Sequence, residues 1–385
     1  MKFTRATRTG AALLAALTLS SLAACGGGSD TPPPAPTQAP AAPAAPPDTR
    51  LKIDAITIFG DSLSDVGTYA IATGDAANHG KFTVNPGAIW VENIASHYGL
   101  ALTPNRSLTM DKDASYGATT AVGTASMLGG NGYAEGGARV AALPSESGVG
   151  NNQLVAPVAT QIDHYFATHD KVGAKELVVI DGGGNDTYAQ FSAVCWGTDD
   201  NQLGSGKTTL AIATAQIENA ARAQVANIAR LVAHGAPLVL VASASDWSGN
   251  PFGQYYLSAA YQATGCYTPV TPQQIGQWTT RFNEILRDGV AGLAGVVYLD
   301  TGSAFADALA SPQKYGLVNT HAPACNNTTP TSSASFCTAA TLVAPDAAQT
   351  YFWSDAFHPT PRGHKILSDA ALSLLDAKAQ PAAAN

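Results

Sequence analysis

The sequence predicts an α/β fold, a parallel sheet with helices over both of its faces. Three observations carry that expectation. Short apolar runs at 53–59, 176–181, 237–243 and 296–300 read as buried strands. Long stretches of helical periodicity fill the intervals between them, and strands alternating with helices make a parallel sheet covered on both sides. Small polar residues come directly after the strands, at the carboxyl ends where sheets of this kind bind ligands.

The first strand closes on Ile56, Thr57, Ile58 and Phe59 and stops at Gly60. A helix is expected over 87–98, where Ile89, Trp90, Asn93, Ile94 and His97 share one face. A longer one covers about 207–234, with Leu210, Ile217, Ala221, Val225, Ile228 and Leu231 as its stripe. A third covers about 272–291, carrying Ile275, Trp278, Phe282, Ile285 and Leu286. The last begins with Thr360 as N-cap and Pro361 at its first position. No repeat of a solenoid type and no run of alternating barrel strands interrupts this order. A single domain is therefore expected over 51–378, with an Ala-rich tail at 379–385.

With 385 residues, 45% of them hydrophobic, the chain can bury a large core. Charged residues make up only 12%, and the formal net charge is −8. Lys2, Arg5 and Arg8 all lie in the first 24 residues, which hold no acid, so the remainder is more acidic still. That balance argues against a nucleic-acid partner, whose binding rests on Lys and Arg, and against a polybasic membrane patch.

Residues 1–24 read as a processing signal: basic residues, then the short apolar stretch AALLAALTLSSLAA. The stretch ends in LAAC and resembles the lipobox of a bacterial lipoprotein. The resemblance implies cleavage before Cys25 and lipidation of its thiol; the rival is an ordinary secretory signal with an incidental cysteine. Residues 25–50 would then be the lipidated cysteine and a Pro/Ala-rich tether, extended at about 3.1 Å per residue. Either reading gives an exported protein, anchored by lipid to the bacterial outer membrane or cell surface, or secreted. Its contact with a membrane would be through that anchor alone.

Export permits disulfides. Setting Cys25 aside, Cys195, Cys266, Cys325 and Cys337 allow three pairings. The 12-residue spacing favours Cys325–Cys337, with Cys195–Cys266 as the second bridge, each worth about 3–4 kcal/mol in the chain-entropy picture. A zinc site is the rival, but no C-x-x-C pair supports it.

The chemistry lies in the residues just past the strands. Gly60-Asp61-Ser62-Leu63-Ser64-Asp65 comes after the first, Gly182-Gly183-Gly184-Asn185-Asp186 after the second, and Ser245-Asp246-Trp247 after the third. Near the C-terminus Asp355 precedes His358 by three residues. A serine is a poor nucleophile unless a base takes its proton and a third group holds the base. His358 can be that base and Asp355 the group that orients it. Of the eight histidines it alone has an acid at such an offset within so distinctive a block. Asn185 can supply a side-chain N–H to an oxyanion, with backbone N–H groups at Ser62 and at Gly137 or Gly136. The G-x-S-x-G elbow is absent. No Gly-Lys-Ser/Thr comes after the glycines, which argues against nucleotide binding, and Asp61, Asp65 and Asp186 fit no calcium loop.

Four stretches in this order, FGDSLSD, YAEGGA, GGND and DAFH, resemble the SGNH or GDSL hydrolases, in particular the secreted bacterial esterase and lipase branch. They spread over 59–358. The resemblance implies a three-layer α/β/α sandwich, flavodoxin-like in outline, with about five parallel strands. It implies Ser62 as nucleophile and oxyanion donor, Gly137 and Asn185 completing the oxyanion hole, and Asp355 and His358 completing a triad. Thr68 stands where that branch often has Asn, which weakens assignment to a subgroup.

The expected activity is cleavage of carboxylic esters, small or lipid, through an acyl-enzyme, with neither metal nor organic cofactor. The alternatives are a phospholipase or lipid acyltransferase on the same site, or a surface binding protein that has lost reactivity. Trp353, Trp247, Tyr188 and Trp196 are pocket candidates because they come after strands or flank the last block, although aromatics more often fill cores. Residues 187–206 are a candidate lid or pocket wall.

Overall fold

The computed structural model describes residues 51–109, 123–145, 154–197, 208–326 and 333–379. The signal, Cys25, the tether, the tail beyond 379 and residues 198–206 of the expected lid lie outside them.

In chain order the elements are β1 (Ala55–Phe59), α1 (Trp90–His97), β2 (Arg106–Leu108), β3 (Ala125–Met127), α2 (Val158–Phe166), β4 (Glu176–Ile180) and α3 (Gly184–Cys195). Next are α4 (Leu210–Ala233), β5 (Leu238–Ala242), α5 (Pro251–Tyr256), α6 (Ala259–Gly265), α7 (Pro272–Val290), β6 (Val296–Leu299) and α8 (Thr301–Ala310). The chain ends with β7 (Asn319–Pro323), α9 (Ala347–Thr350), β8 (Tyr351–Trp353) and α10 (Pro361–Ala379). The four expected strands and the long helices all form within a few residues of their expected bounds.

The central sheet runs β1-β4-β5-β6, every neighbouring pair parallel. Alternation of side chains splits each strand between two cores. Phe59, Val178, Ile180, Val239 and Val241 pack on one face with Ile162, Phe191, Ile217, Ile228 and Phe282 from α2, α3, α4 and α7. Ile56, Ile58, Leu177, Val179 and Leu240 pack on the other with Trp90, Ile94, Phe305, Leu367 and Leu375 from α1, α8 and α10. Burial on both faces explains why these strands read as continuous apolar runs rather than alternating ones. The result is the α/β sandwich.

The ladder holds four strands where about five are implied. On the free side of β1, residues 131–133 take the next position through one bridge: the Ile58 amide donates to Asn131 (3.0 Å) and that of Tyr133 to Ile58 (2.7 Å). Gly130 there lies so close to the Thr103 carbonyl that a Cβ would come within 2.2 Å of it. Backbone pressed on backbone, without side chains to pack, does not lengthen into a strand.

Both expected disulfides are present. Cys195–Cys266 joins the ends of α3 and α6, and Cys325–Cys337 closes a 12-residue separation after β7. Among the described residues no helix is long and apolar enough to cross a membrane.

Candidate active site

The carboxyl ends of β1 and β4, the stretch 131–140 and the turn after β8 meet at one rim of the sheet. β1 stops at Gly60, whose N–H and C=O are both taken by the Gln161 side chain of α2, at 2.9 and 2.8 Å. The Asp61 carboxylate then accepts the Leu63 amide (3.0 Å), while the Ser64 amide donates to the Asp61 carbonyl (3.1 Å). This tight turn holds Ser62 half-buried at the rim.

After β8 the chain reverses, the Ser354 amide donating to the His358 carbonyl at 2.7 Å. The reversal places His358 Nε2 2.8 Å from Ser62 Oγ across 296 residues. His358 Nδ1 lies 2.8 Å from Asp355 Oδ2 and 3.0 Å from Oδ1. Asp355 is 1% exposed. Burial pushes its carboxyl up, but the His358 ring and the amides of His358 (2.6 Å) and Phe357 (2.8 Å) outweigh it and hold the group below the ordinary carboxylate range. The Ala334 amide adds a further bond at 2.6 Å. An anionic Asp355 fixes Nδ1 as the protonated nitrogen and leaves Nε2 free to accept from Ser62.

Candidate donors for an oxyanion come from the Ser62 turn, the loop 133–140 and the first turn of α3. Asp65 Oδ2 accepts the Gly136 amide at 2.8 Å, which occupies that N–H. Among the described residues the amides of Gly137 and Ser62 meet no protein acceptor. Of the two glycines open in the sequence, Gly137 is therefore the one with an N–H to offer, and its φ of +87° favours a residue without Cβ. Asn185 sits in the first turn of α3, behind Gly183 (φ +104°), whose missing Cβ makes room for the Phe282 ring. One N–H of its side chain is bonded to the Ala138 carbonyl (3.0 Å), which ties α3 to the Gly137 loop. Its second N–H is available to the site.

Buried acids clamp this loop. Asp65 also accepts the Gly67 and Thr68 amides at 2.8 and 2.7 Å, and Thr68 Oγ1 reaches the Ala134 carbonyl at 3.3 Å. Glu135 pairs with Arg106 at 2.7 Å and accepts the Ala156 amide at 2.8 Å. Asp186 accepts the Val140 amide at 3.0 Å. Burial raises Asp65 to about 6 and Glu135 to about 7, in each case against its hydrogen bonds and, for Glu135, against Arg106.

The expected pocket residues separate. Phe82 and Phe357 flank the His358 ring, with centroids 4.9 and 6.2 Å away. Tyr188 is half-buried and stands against Phe357 at 5.6 Å, and Trp196 is half-buried against Tyr188 at 6.2 Å. Trp247 is 4% exposed, its Nε1 bonded to Thr187 Oγ1 (3.0 Å), so it backs Phe357 from the core rather than lining an opening. Trp353 is not a pocket residue. It is 5% exposed, bonds the Thr320 carbonyl (3.0 Å) and packs in the core on the α1–α10 face. Residues 187–195 are no lid: they lie in α3, nearly all buried.

Sequence reasoning missed Gln161, Arg106, Phe82 and Phe357. The one available signal was Gln161, an amide inside the apolar stripe of Val158, Ile162 and Tyr165.

A family model described as GDSL-like Lipase/Acylhydrolase matches residues 56–371. GDSL esterase/lipase 7 of Arabidopsis thaliana is 25% identical to the chain over 337 residues, covering 83% of it and 87% of the plant protein.

Proposed function

Since the chain belongs to the GDSL-like lipase and acylhydrolase family, we propose that it hydrolyses carboxylic esters through an acyl-enzyme on Ser62. The observation that carries this reading is the continuous relay from Ser62 Oγ through the two ring nitrogens of His358 to Asp355, each step 2.8 Å. His358 takes the Ser62 proton as Oγ attacks the ester carbonyl, and Asp355 stabilises the resulting imidazolium. The amides of Ser62 and Gly137 and the Asn185 side chain receive the oxyanion. His358 returns the proton to the leaving alkoxide, then activates the water that frees the acid.

Phe82, Phe357 and Tyr188 support an apolar acyl or alcohol portion lying beside His358. The two disulfides agree with export, and we place the chain outside the cytoplasm, lipid-anchored through Cys25 or secreted. Ser62→Ala is expected to abolish p-nitrophenyl ester turnover and labelling by a fluorophosphonate while the circular dichroism spectrum is kept. Turnover persisting in a folded Ser62→Ala protein would end this reading. Metabolic labelling with palmitate, lost in Cys25→Ala, tests the anchor.

A further inference from the structure

Asp181, immediately after β4, takes no part in the relay from Ser62 to Asp355. It is 3% exposed, and neither of its carboxyl oxygens meets a hydrogen-bond partner. Oδ1 presses on Gly60 so closely that a Cβ there would come within 1.4 Å. The nearest donors are the Asp61 amide and the Ser64 hydroxyl, both on the turn that carries Ser62. The charge that bears on Asp181 is Asp61, which itself faces His358 and Asp186. The neighbouring helices bring neutral groups: Gln224 of α4 donates to the Asp181 carbonyl at 2.9 Å, with Asn227 behind it, and Gln161 of α2 clamps Gly60.

A buried carboxylate whose nearest donors fall outside hydrogen-bond geometry is far costlier than the neutral acid, and two adjacent acids do not both ionise readily. We propose that Asp61 and Asp181 hold one proton between them beneath the Ser62 turn, and that Asp181 is a positioning residue whose neutrality lets the Ser62 amide receive an oxyanion. A negative Asp181 under that turn would oppose the charge that develops above it in the transition state. The direction of both shifts agrees. Burial raises Asp61 to about 6, and burial, then the charge on Asp61, raise Asp181 well above the ordinary carboxylate range. Asp61 has the Leu63 amide to hold its charge, whereas Asp181 has no such bond, so the proton stays on Asp181. The inference rests on the reading of Ser62 as nucleophile.

The test is kcat/KM for a short aliphatic ester, measured by pH-stat from about pH 5 to about pH 10. The wild type is expected to lose activity on the alkaline side, approaching about ten-fold per pH unit, the slope of one proton. Asp181→Asn, uncharged at every pH, is expected to keep at least about ten-fold more of its acid-side activity at the alkaline end. Superimposable profiles, or a wild type with no alkaline fall, would overturn the inference. Should Asp181→Asn not fold, the infrared band of a protonated carboxyl in the wild type is titrated instead. A band that disappears in step with activity supports the pair, and one that persists through the fall refutes it. Ser62→Ala, run alongside, separates the two failures: an active Ser62→Ala removes the nucleophile itself, an unchanged Asp181→Asn profile only the role of Asp181.

Discussion

Two walls meet near Ser62, and they are built on opposite principles. The loop 133–140 is held by directed bonds to buried acids: Gly136 donates to Asp65, Arg106 and Ala156 to Glu135, and Val140 to Asp186. The other wall is rings against rings, with Phe252 at 4.3 Å from Phe357 and Trp196 at 5.3 Å from Tyr256, tied at its edge by Cys195–Cys266. Directed bonds fix amide positions, which an oxyanion requires; dispersion between rings tolerates small shifts, which a variable acyl group requires. The polar wall should therefore fail abruptly and with pH, the aromatic wall gradually.

The sharpest break is at the buried ion pair. Arg106→Met leaves Glu135, 2% exposed, without its cation. Removing one partner of such a pair typically costs about 3–5 kcal/mol. Glu135 already stands raised to about 7, so it can escape the cost by taking a proton. The loss measured by urea unfolding should accordingly be large at about pH 8 and much smaller at about pH 5. An equal loss at both would mean that Arg106 contributes packing rather than charge. Next comes Asn185→Ala, which removes one proposed oxyanion donor and the bond to Ala138. A fall of about 10²–10³ in kcat, with KM little changed, is expected. A change confined to KM would place Asn185 in substrate binding.

The same acids make a statement about the whole protein. Asp61 and Asp65 at about 6 and Glu135 at about 7 all lie above their unfolded values of about 4. Between those limits the folded chain binds more protons than the unfolded one, so this contribution is greatest on the acid side and is lost as pH rises toward about 7. Asp355 acts in reverse, its lowered pKa favouring the folded state above about 4 and withdrawing that help below it. Stability should thus peak near pH 4–5 and exceed that at about pH 7.5 by about 1.4 kcal/mol or more, the worth of a single one-unit shift. A thermal midpoint that climbs steadily from pH 5 to about 7.5 would contradict the burial of these groups.

Sequence distance decides how much of this could be read in the chain. The strands were legible because burial on both faces writes an unbroken apolar run, as in Glu176–Ile180. Gly60-Asp61-Ser62 and Asp355 with His358 were legible because each cluster is local. The supports were not. Gln161 meets Gly60 across 101 residues, and Phe82 reaches the His358 ring from the far end of the chain. An amide or an aromatic ring carries no mark of such a partner. Trp353 misled for the opposite reason: it stands two residues before Asp355, yet β8 ends there and the reversal closed by Ser354 and His358 parts the two side chains.

That parting supplies the smallest and most discriminating prediction. Phe357→Ala removes a half-buried ring beside His358 without leaving a buried polar group unpaired. Part of a phenyl side chain's burial, about 1–1.5 kcal/mol, should appear as a KM raised about ten-fold for a long-chain ester, with little change for an acetyl ester and in kcat. Trp353→Phe instead removes the bond to Thr320 from a closed core, so it should lower the thermal midpoint and leave the chain-length dependence of KM intact. Were Trp353→Phe to alter chain-length preference while Phe357→Ala did not, the acyl group would lie on the α1–α10 side of the sheet, and the aromatic wall would be only core.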